Sequence, residues 1–422
     1  MTEFHSSYAM PQAGIPDDLT IPQFILDYHH PLRPVRPQGT PWLIDDATGR
    51  SVAYEELRVR TYGLANALYL KWNFGEGDVA CIFARNHIDY VVAVWAVHRL
   101  GGVVSTANPA YTADELHYQL TTVKTSLLLV HPDVLDTAQV AAKKAGLSVD
   151  RVVLFECLPN SIPASHPTFQ DLITEGLNKD PSFVEKRLAP GEAKTKLAVL
   201  CFSSGTTGRP KAVAIPHYAL IVNIIQGAVF FGLGDPSIPQ DDKRYRPGDI
   251  ACGVLPLFHI YGLVVNLHFV IFAGMTMVVQ PRFSLQKFLK SIVRYRITVL
   301  YLVPPMFILL CKDPIVKNYD LGHVRTTNSG AAPFSIELVQ QLSQVLPNAS
   351  ITQGYGMTET STTVSATSPL QRHTKGGVGV LLPGVVARVV KQDGSLARVG
   401  ETGELHLNTP SLALGYLNNE RA

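Results

Sequence analysis

Charge is scarce in this chain. Asp, Glu, Lys and Arg make up 17% of the 422 residues and leave a formal net charge of only +2. So small an imbalance gives no electrostatic case for binding nucleic acid or an anionic membrane. Cysteine is also sparse: Cys81, Cys157, Cys201, Cys252 and Cys311 lie far apart, with no CxxC pair. That spacing favours buried free thiols in a reducing compartment over disulfides or zinc. Residues 1–16 lack both a basic start and an apolar core, so no secretory leader is read there. One apolar stretch, 262–279, is about long enough to span a bilayer. Asn266 and His268 interrupt it, and Gly274 sets off 275–279 as a strand. A buried helix, turn and strand is the expectation, and no membrane span.

Apolar residues, at 46%, are plentiful enough for a globular chain with much buried surface, and the length calls for two or three packed units. From residue 78 onward strands and helices alternate. Strands are expected over 79–83, 103–106, 126–130 and 152–155, with helices over 88–100 and 136–145. Thr112 to Glu115 has the spacing of a capping box that opens a further helix. A second series follows, with strands over 250–255, 275–279, 298–303, 324–329 and 350–352. Its helices are expected over 285–294, capped by Ser284, and over 336–345. Apolar strands separated by amphipathic helices point to parallel sheets with helices on their faces. Residues 376–416 are rich in Val, Leu and Gly, with Asp393-Gly394 as a hairpin turn, and read as antiparallel strands.

The most informative segment is Phe202-Ser203-Ser204-Gly205-Thr206-Thr207-Gly208-Arg209-Pro210-Lys211. Its glycines let backbone N–H groups turn toward an anion, its hydroxyls add donors, and Lys211 adds a point charge. This chemistry is that of a nucleotide phosphate loop. A Walker loop is excluded, because Lys211 falls three residues after Gly208 and Ala212 follows it. A nucleophile elbow is excluded too, since Cys201 stands where its first glycine belongs. A flexible turn between strands is the other reading of this loop taken alone.

Four motifs in register carry a resemblance. The loop 203–211 resembles the phosphate-binding signature of the adenylate-forming superfamily. Leu255-Pro256-Leu257-Phe258-His259-Ile260-Tyr261-Gly262 resembles its acid-pocket segment, in the version of 4-coumarate–CoA ligases. Gln353-Gly354-Tyr355-Gly356-Met357-Thr358-Glu359-Thr360 resembles the adenine and metal segment. Gly400-Glu401-Thr402-Gly403-Glu404-Leu405, with Gly415-Tyr416-Leu417-Asn418-Asn419, resembles the strand-rich end of the large domain. The fold implied is α/β: two sheet units with helices on their faces plus a small distorted antiparallel β-barrel. Approximate units are 20–200, 201–355 and 356–422 of one large N-terminal domain.

The activity implied is AMP-forming ligation of a carboxylic acid to coenzyme A, using ATP and Mg²⁺. Ser203, Ser204, Gly205, Thr206, Thr207, Gly208 and Lys211 are implied at the β- and γ-phosphates. Thr358 is implied at the α-phosphate, Glu359 at the metal, and Tyr355 with Gly354 on the adenine. Gln353, Gly356, Met357, Gly330, Ala331 and Ala332 are expected beside the nucleotide. Thr358, Glu359 and His259 are the residues expected at the chemistry, His259 as a gate that positions substrate. A carboxylate next to a hydroxyl does suit Mg²⁺ completed by phosphate, although a lone Thr-Glu pair is also an ordinary cap or turn. The acid pocket is expected to include His259, Ile260, Tyr261, Val265, Thr327, Ser329, Gly330, Gly354, Gly356, Met357, Thr362 and Thr363.

Departures from the pattern broaden the expected acid to aryl or medium-chain fatty acids. Thr360-Ser361-Thr362-Thr363-Val364 replaces a Gly-Pro-Val-like run, and Thr327 stands where those ligases often carry lysine; Ala212 in place of a glycine is a mild change that a strand tolerates. The resemblance also leads one to expect a ribose-binding Thr-Gly-Asp segment, a hinge and a mobile C-terminal domain, which the 422 residues do not contain. Little ligase activity from this chain alone, and a cytoplasmic or peroxisomal location, are the corresponding expectations. A carrier-loading adenylation domain, a luciferase-like oxygenase and a non-catalytic acyl- or nucleotide-binding module are the competing readings. No carboxylate stands in 255–265 or 326–333 to hold an α-amine, which counts against amino-acid activation.

Overall fold

Central strands buried on both faces must be apolar throughout, and the run Val79-Ala80-Cys81-Ile82-Phe83 is one, every residue of it buried. The computed structural model describes residues 3–11, 14–155, 166–203 and 210–418. Among them, this strand lies in a seven-stranded sheet. Its order is Gly415–Tyr416, Lys211–Pro216, Leu197–Ser203, Val103–Ala107, Val79–Phe83, Leu127–Val130 and Val152–Leu154. The last five run parallel, and the first two are antiparallel additions.

A second sheet has nine strands, ordered Val380–Leu381, Thr362–Ala366, Ser350–Met357, Thr326–Ser329, Val299–Leu302, Ile250–Gly253, Thr276–Val279, Leu43–Asp45 and Ser51–Val52. Its middle is again parallel. A third, antiparallel sheet joins Glu3–His5, Val386–Val390 and Glu404–Asn408. The Asp393 carboxylate accepts from the backbone N–H of Ser395 at 2.9 Å, which shapes the expected turn.

One apolar core runs from the first sheet (Ile82, Val104, Val199) to the second (Met277, Val299, Tyr301). It passes through helices Tyr90–Arg99 and His217–Phe230 and the wide-turn helix Tyr261–Phe269. Helices Leu285–Tyr295, Pro304–Lys312 and Ile336–Val345 cover the other face of the second sheet. Helices Ala113–Thr122 and Leu135–Lys144 do the same for the first.

The expected capping box is present: the Glu115 N–H donates to the Thr112 hydroxyl at 3.3 Å, and the Thr112 N–H to the Glu115 carboxylate at 2.8 Å. Two expectations are corrected. Ser284 occupies the N-cap of Leu285–Tyr295, but its hydroxyl makes no capping bond. The strand expected over 350–352 runs on through the glycines to Met357, because antiparallel pairing with Thr362–Ala366 supplies partners for that backbone.

The stretch 262–279 is buried helix, turn and strand, and its two polar side chains that interrupt the apolar run both hydrogen-bond within the protein. Asn266 donates to the Cys252 carbonyl at 2.8 Å, and His268 accepts from the Trp95 indole at 3.1 Å. No helix among the described residues is long and apolar enough to cross a membrane. Cys81, Cys201, Cys252 and Cys311 are free thiols, with Cys311 only half-buried. Cys157 lies outside the described residues.

Three buried imidazoles are held neutral. His268 keeps Nε2 as acceptor for Trp95 while Nδ1 bonds the Leu263 carbonyl at 2.7 Å. His98 bonds the Ala198 carbonyl at 2.9 Å, and His217 Nδ1 accepts from the Ile21 N–H. Burial pushes His98 down to about 3 and His268 to about 4, and His217 well below its ordinary range. In the unfolded chain these groups titrate near 6.5, so at lower pH it takes up protons that the folded chain refuses. Their contribution to stability is complete above that pH and is lost as pH falls toward 4. The melting midpoint, followed by circular dichroism, should therefore drop steadily from pH 7 to pH 5; a flat profile would contradict this reading.

Candidate functional site

Ligands of open α/β sheets collect beyond the carboxyl ends of parallel strands. Here two sheets bring such ends together. Asn108 follows strand Val103–Ala107, Ser203 ends Leu197–Ser203, Gly330 follows Thr326–Ser329, and Met357 ends Ser350–Met357. All four residues line one cavity of about 740 Å³.

The sheets are tied together at the turn that leads to His259. The buried Asn86, just past strand Val79–Phe83, donates to the carbonyls of Gly253 at 3.0 Å and Leu255 at 2.9 Å. Its own carbonyl accepts from the Leu257 N–H at 2.8 Å. From the next strand, the Thr106 hydroxyl donates to the Phe258 carbonyl at 2.7 Å. Gly262 lets the following helix press onto this turn, since a Cβ there would lie 2.0 Å from the Pro256 carbonyl oxygen.

His259 presents its ring to the cavity, where it is exposed to water although the surrounding protein partly desolvates it. That desolvation lowers its pKa. Its Nδ1 accepts from the Tyr261 N–H at 3.2 Å. Neutral and already engaged, the imidazole suits positioning better than proton transfer. Tyr261 is buried, which raises its pKa, and its hydroxyl accepts from the Asn328 amide at 2.8 Å.

Thr358, Glu359 and Thr360 form a single helical turn directly after the Gly-rich strand. Glu359 accepts at 2.8 Å from the Tyr416 hydroxyl, and the Lys211 ammonium lies 5.0 Å from the centre of the same ring. Burial and the Glu359 carboxylate push the Tyr416 phenol up to about 12, so it remains a donor. Gly356 is needed for close approach, because a Cβ there would fall 1.5 Å from the Thr362 carbonyl oxygen.

Of the residues singled out in the sequence, Ser203, Lys211, His259, Ile260, Tyr261, Val265, Gly330, Ala331, Gly354, Tyr355, Gly356, Met357, Thr358, Glu359, Thr362 and Thr363 line this cavity. Ser204, Gly205, Thr206, Thr207 and Gly208 lie outside the described residues. Four others do not border it. Thr327 and Ser329 do not border the cavity, because strand side chains alternate and Asn328 faces it between them. Ala332 is exposed beyond it, past the left-handed Ala331 with φ +67°. Gln353 is buried away from it and donates to the Gly377 carbonyl.

Sequence reading missed Thr106, Asn108 and Tyr111 from the first sheet, Asn223 and Phe231 from helix His217–Phe230 and its end, and Tyr245, Tyr301 and Asn328. Of these, only Asn328 lay beside site residues singled out in the sequence; Tyr416, also on the cavity, lay inside a recognised motif.

Paired sheets with their ends on one cavity are the fold of adenylate-forming enzymes. The model of the AMP-binding enzyme family matches residues 33–417, and the chain belongs to that family. It is 31% identical over 417 residues to an acyl-CoA ligase of Glarea lozoyensis, covering 96% of this chain and 71% of the relative. To 4-coumarate–CoA ligase 3 of Arabidopsis thaliana it is 33% identical over 389 residues, covering 90% and 65%. Among solved structures it resembles ATP-bound MatB of Rhodopseudomonas palustris at 26% identity and a TM-score of 0.77, covering 95% of this chain and 72% of that one.

Removing the amide that ties the two sheets should be costly. Asn86→Ala strands two carbonyls and an N–H, so a loss of about 2–3 kcal/mol is expected in urea denaturation. A loss below about 0.5 kcal/mol would show that the turn before His259 holds without it.

Proposed function

We propose that this chain serves the ATP-dependent activation of a carboxylic acid, aryl or medium-chain aliphatic, for transfer to coenzyme A. A carboxylate oxygen bonds the α-phosphorus while the bond to pyrophosphate breaks. The thiol sulfur of coenzyme A then takes the acyl group, AMP leaves, and the thiol proton passes to solvent. Such chemistry asks the protein for positioning and charge neutralisation rather than covalent help.

The observation that carries this reading is the continuity of one cavity. It is bordered at one part by Lys211, Thr358 and Glu359, and at another by Phe231, Val264 and Phe269. The first set suits phosphates, the second an acyl group. In this proposal Ser203 and Lys211, with 204–208, meet the outer phosphates, and Thr358 meets the α-phosphate. Gly354 and Tyr355 pack on the adenine, and His259 positions the acid at the mouth of its pocket.

Mg²⁺ would supply further charge neutralisation on the phosphates. No group of three or more His, Cys, Asp or Glu clusters among the described residues. A lone Glu359, with one oxygen held by Tyr416, fits a cation that keeps its waters and takes phosphate oxygens instead of entering a protein cage. The approximate units 20–200, 201–355 and 356–422 belong to the same proposal, although the sheets exchange strands across those bounds. The alternative of loading an amino acid onto a carrier is disfavoured by the cavity: among its described lining residues, Glu359 is the sole carboxylate.

Calorimetric titration with non-hydrolysable cinnamoyl- and dodecanoyl-adenylate mimics tests the reading. At least one should bind, and Val265→Phe, which narrows the acyl part, should weaken it about tenfold. ATP should bind more tightly with Mg²⁺, and Glu359→Gln should remove about tenfold of that gain. Silence from both mimics would sink the proposal.

A further inference from the structure

A second cavity, of about 450 Å³, opens at the amino ends of strands in the second sheet. Thr326 and Ser350, the first residues of strands Thr326–Ser329 and Ser350–Met357, border it. Gly330 and Gly354 lie on the same two runs of chain and border the first cavity, about 13 Å further along. The two cavities therefore sit at opposite ends of the same strands.

Charge, scarce in the chain as a whole, is concentrated at this second cavity. Lys243, Arg244, Arg246, Arg325 and Arg372 border it, against the carboxylates of Asp241 and Asp242. Two of the cations are neutralised. Arg246 pairs with Asp241 at 3.1 Å, and Arg325 with the buried Asp249 at 2.9 Å. The other three, among the described residues, hold only backbone carbonyls. Lys243 donates to Leu233 at 2.9 Å, Arg372 donates to Pro347, and Arg244 donates to Thr367 at 2.9 Å and Ser368 at 3.0 Å, and also to Gln371. Asp242 is exposed and stands as the one bordering carboxylate outside an ion pair.

A carbonyl satisfies an N–H donor but leaves the charge of the cation in place. Charges of one sign gathered around a concave, partly desolvated space draw a counter-ion into it. Arg244 makes that field permanent: it is only 8% exposed, and its bonds to the loop after strand Thr362–Ala366 fix the guanidinium where it stands. The volume falls within the range of small-molecule sites and exceeds the room a single water or halide needs. Guanidinium and ammonium groups together match the oxygens of phosphates and carboxylates. We infer that this cavity binds a small, multiply charged oxyanion, bearing phosphate or carboxylate groups, at a site separate from the first cavity.

Calorimetric titration of the whole chain at low ionic strength, with inorganic pyrophosphate and separately with citrate, tests the inference and tells the two kinds of anion apart. At least one should bind. The double variant Lys243→Gln, Arg372→Gln should weaken that binding about tenfold or more, and added salt should weaken it in the wild type. Neither side chain is buried, so the melting midpoint should hold. If the double variant melts lower, Asp242→Asn decides: removal of this exposed carboxylate should tighten binding about threefold, and no change would overturn the inference. Silence from both anions would overturn it. So would binding that the double variant leaves intact, and its loss in Lys211→Gln would then place the anion in the first cavity.

Discussion

The site depends on one buried amide. Asn86 leaves the end of a central strand in the first sheet and holds three backbone groups of the turn that leaves a central strand in the second. A backbone segment between two sheets cannot hydrogen-bond to water, so its polar groups must find partners in the protein. Asn86 and Thr106 supply them, and they come from the opposite sheet. The carboxyl ends of two separate parallel sheets thus become the walls of one cavity, and His259 is delivered to it.

A second constraint lies in the backbone on the far side of the cavity. Thr362 has φ +117°, a conformation that a β-branched residue rarely adopts and that costs on the order of 1–3 kcal/mol. The surroundings enforce it. The Thr362 hydroxyl donates to the Ile260 carbonyl at 3.2 Å, while Asn223 grips the next residue, donating to the Thr363 carbonyl at 2.8 Å and accepting its N–H at 3.2 Å. Gly356 faces the resulting bulge with no side chain to obstruct it. The wall by the nucleotide motifs is therefore backbone held in place from the helix behind it, so a flat group can approach closely.

Much of this was readable in the chain. Apolar runs marked the parallel strands, Thr112 and Glu115 marked a helix start, and the Gly-Tyr-Gly-Met-Thr-Glu segment marked one wall of the cavity. What escaped reading has two physical causes. Strand parity is one: a slip of a single residue moves a side chain to the other face, so Thr327 and Ser329 were expected where Asn328 stands. Long-range convergence is the other. Nothing near Asn86, Thr106, Asn223 or Tyr301 in sequence says that they meet the His259 segment or its cavity. Tyr416 lay inside a recognised motif, yet its contact with Glu359 becomes visible only when an edge strand pairs with Lys211–Pro216.

The central claim is that a single cavity, walled by both sheets, takes the acyl and nucleotide parts of one ligand together. A crystal structure of the chain with a non-hydrolysable acyl-adenylate mimic tests it most directly. The account predicts the adenosine phosphate beside Thr358 and the acyl group running past His259 toward Asn328 and Tyr301. An acyl group directed to the outer surface, or a mimic seated away from these residues, would contradict it.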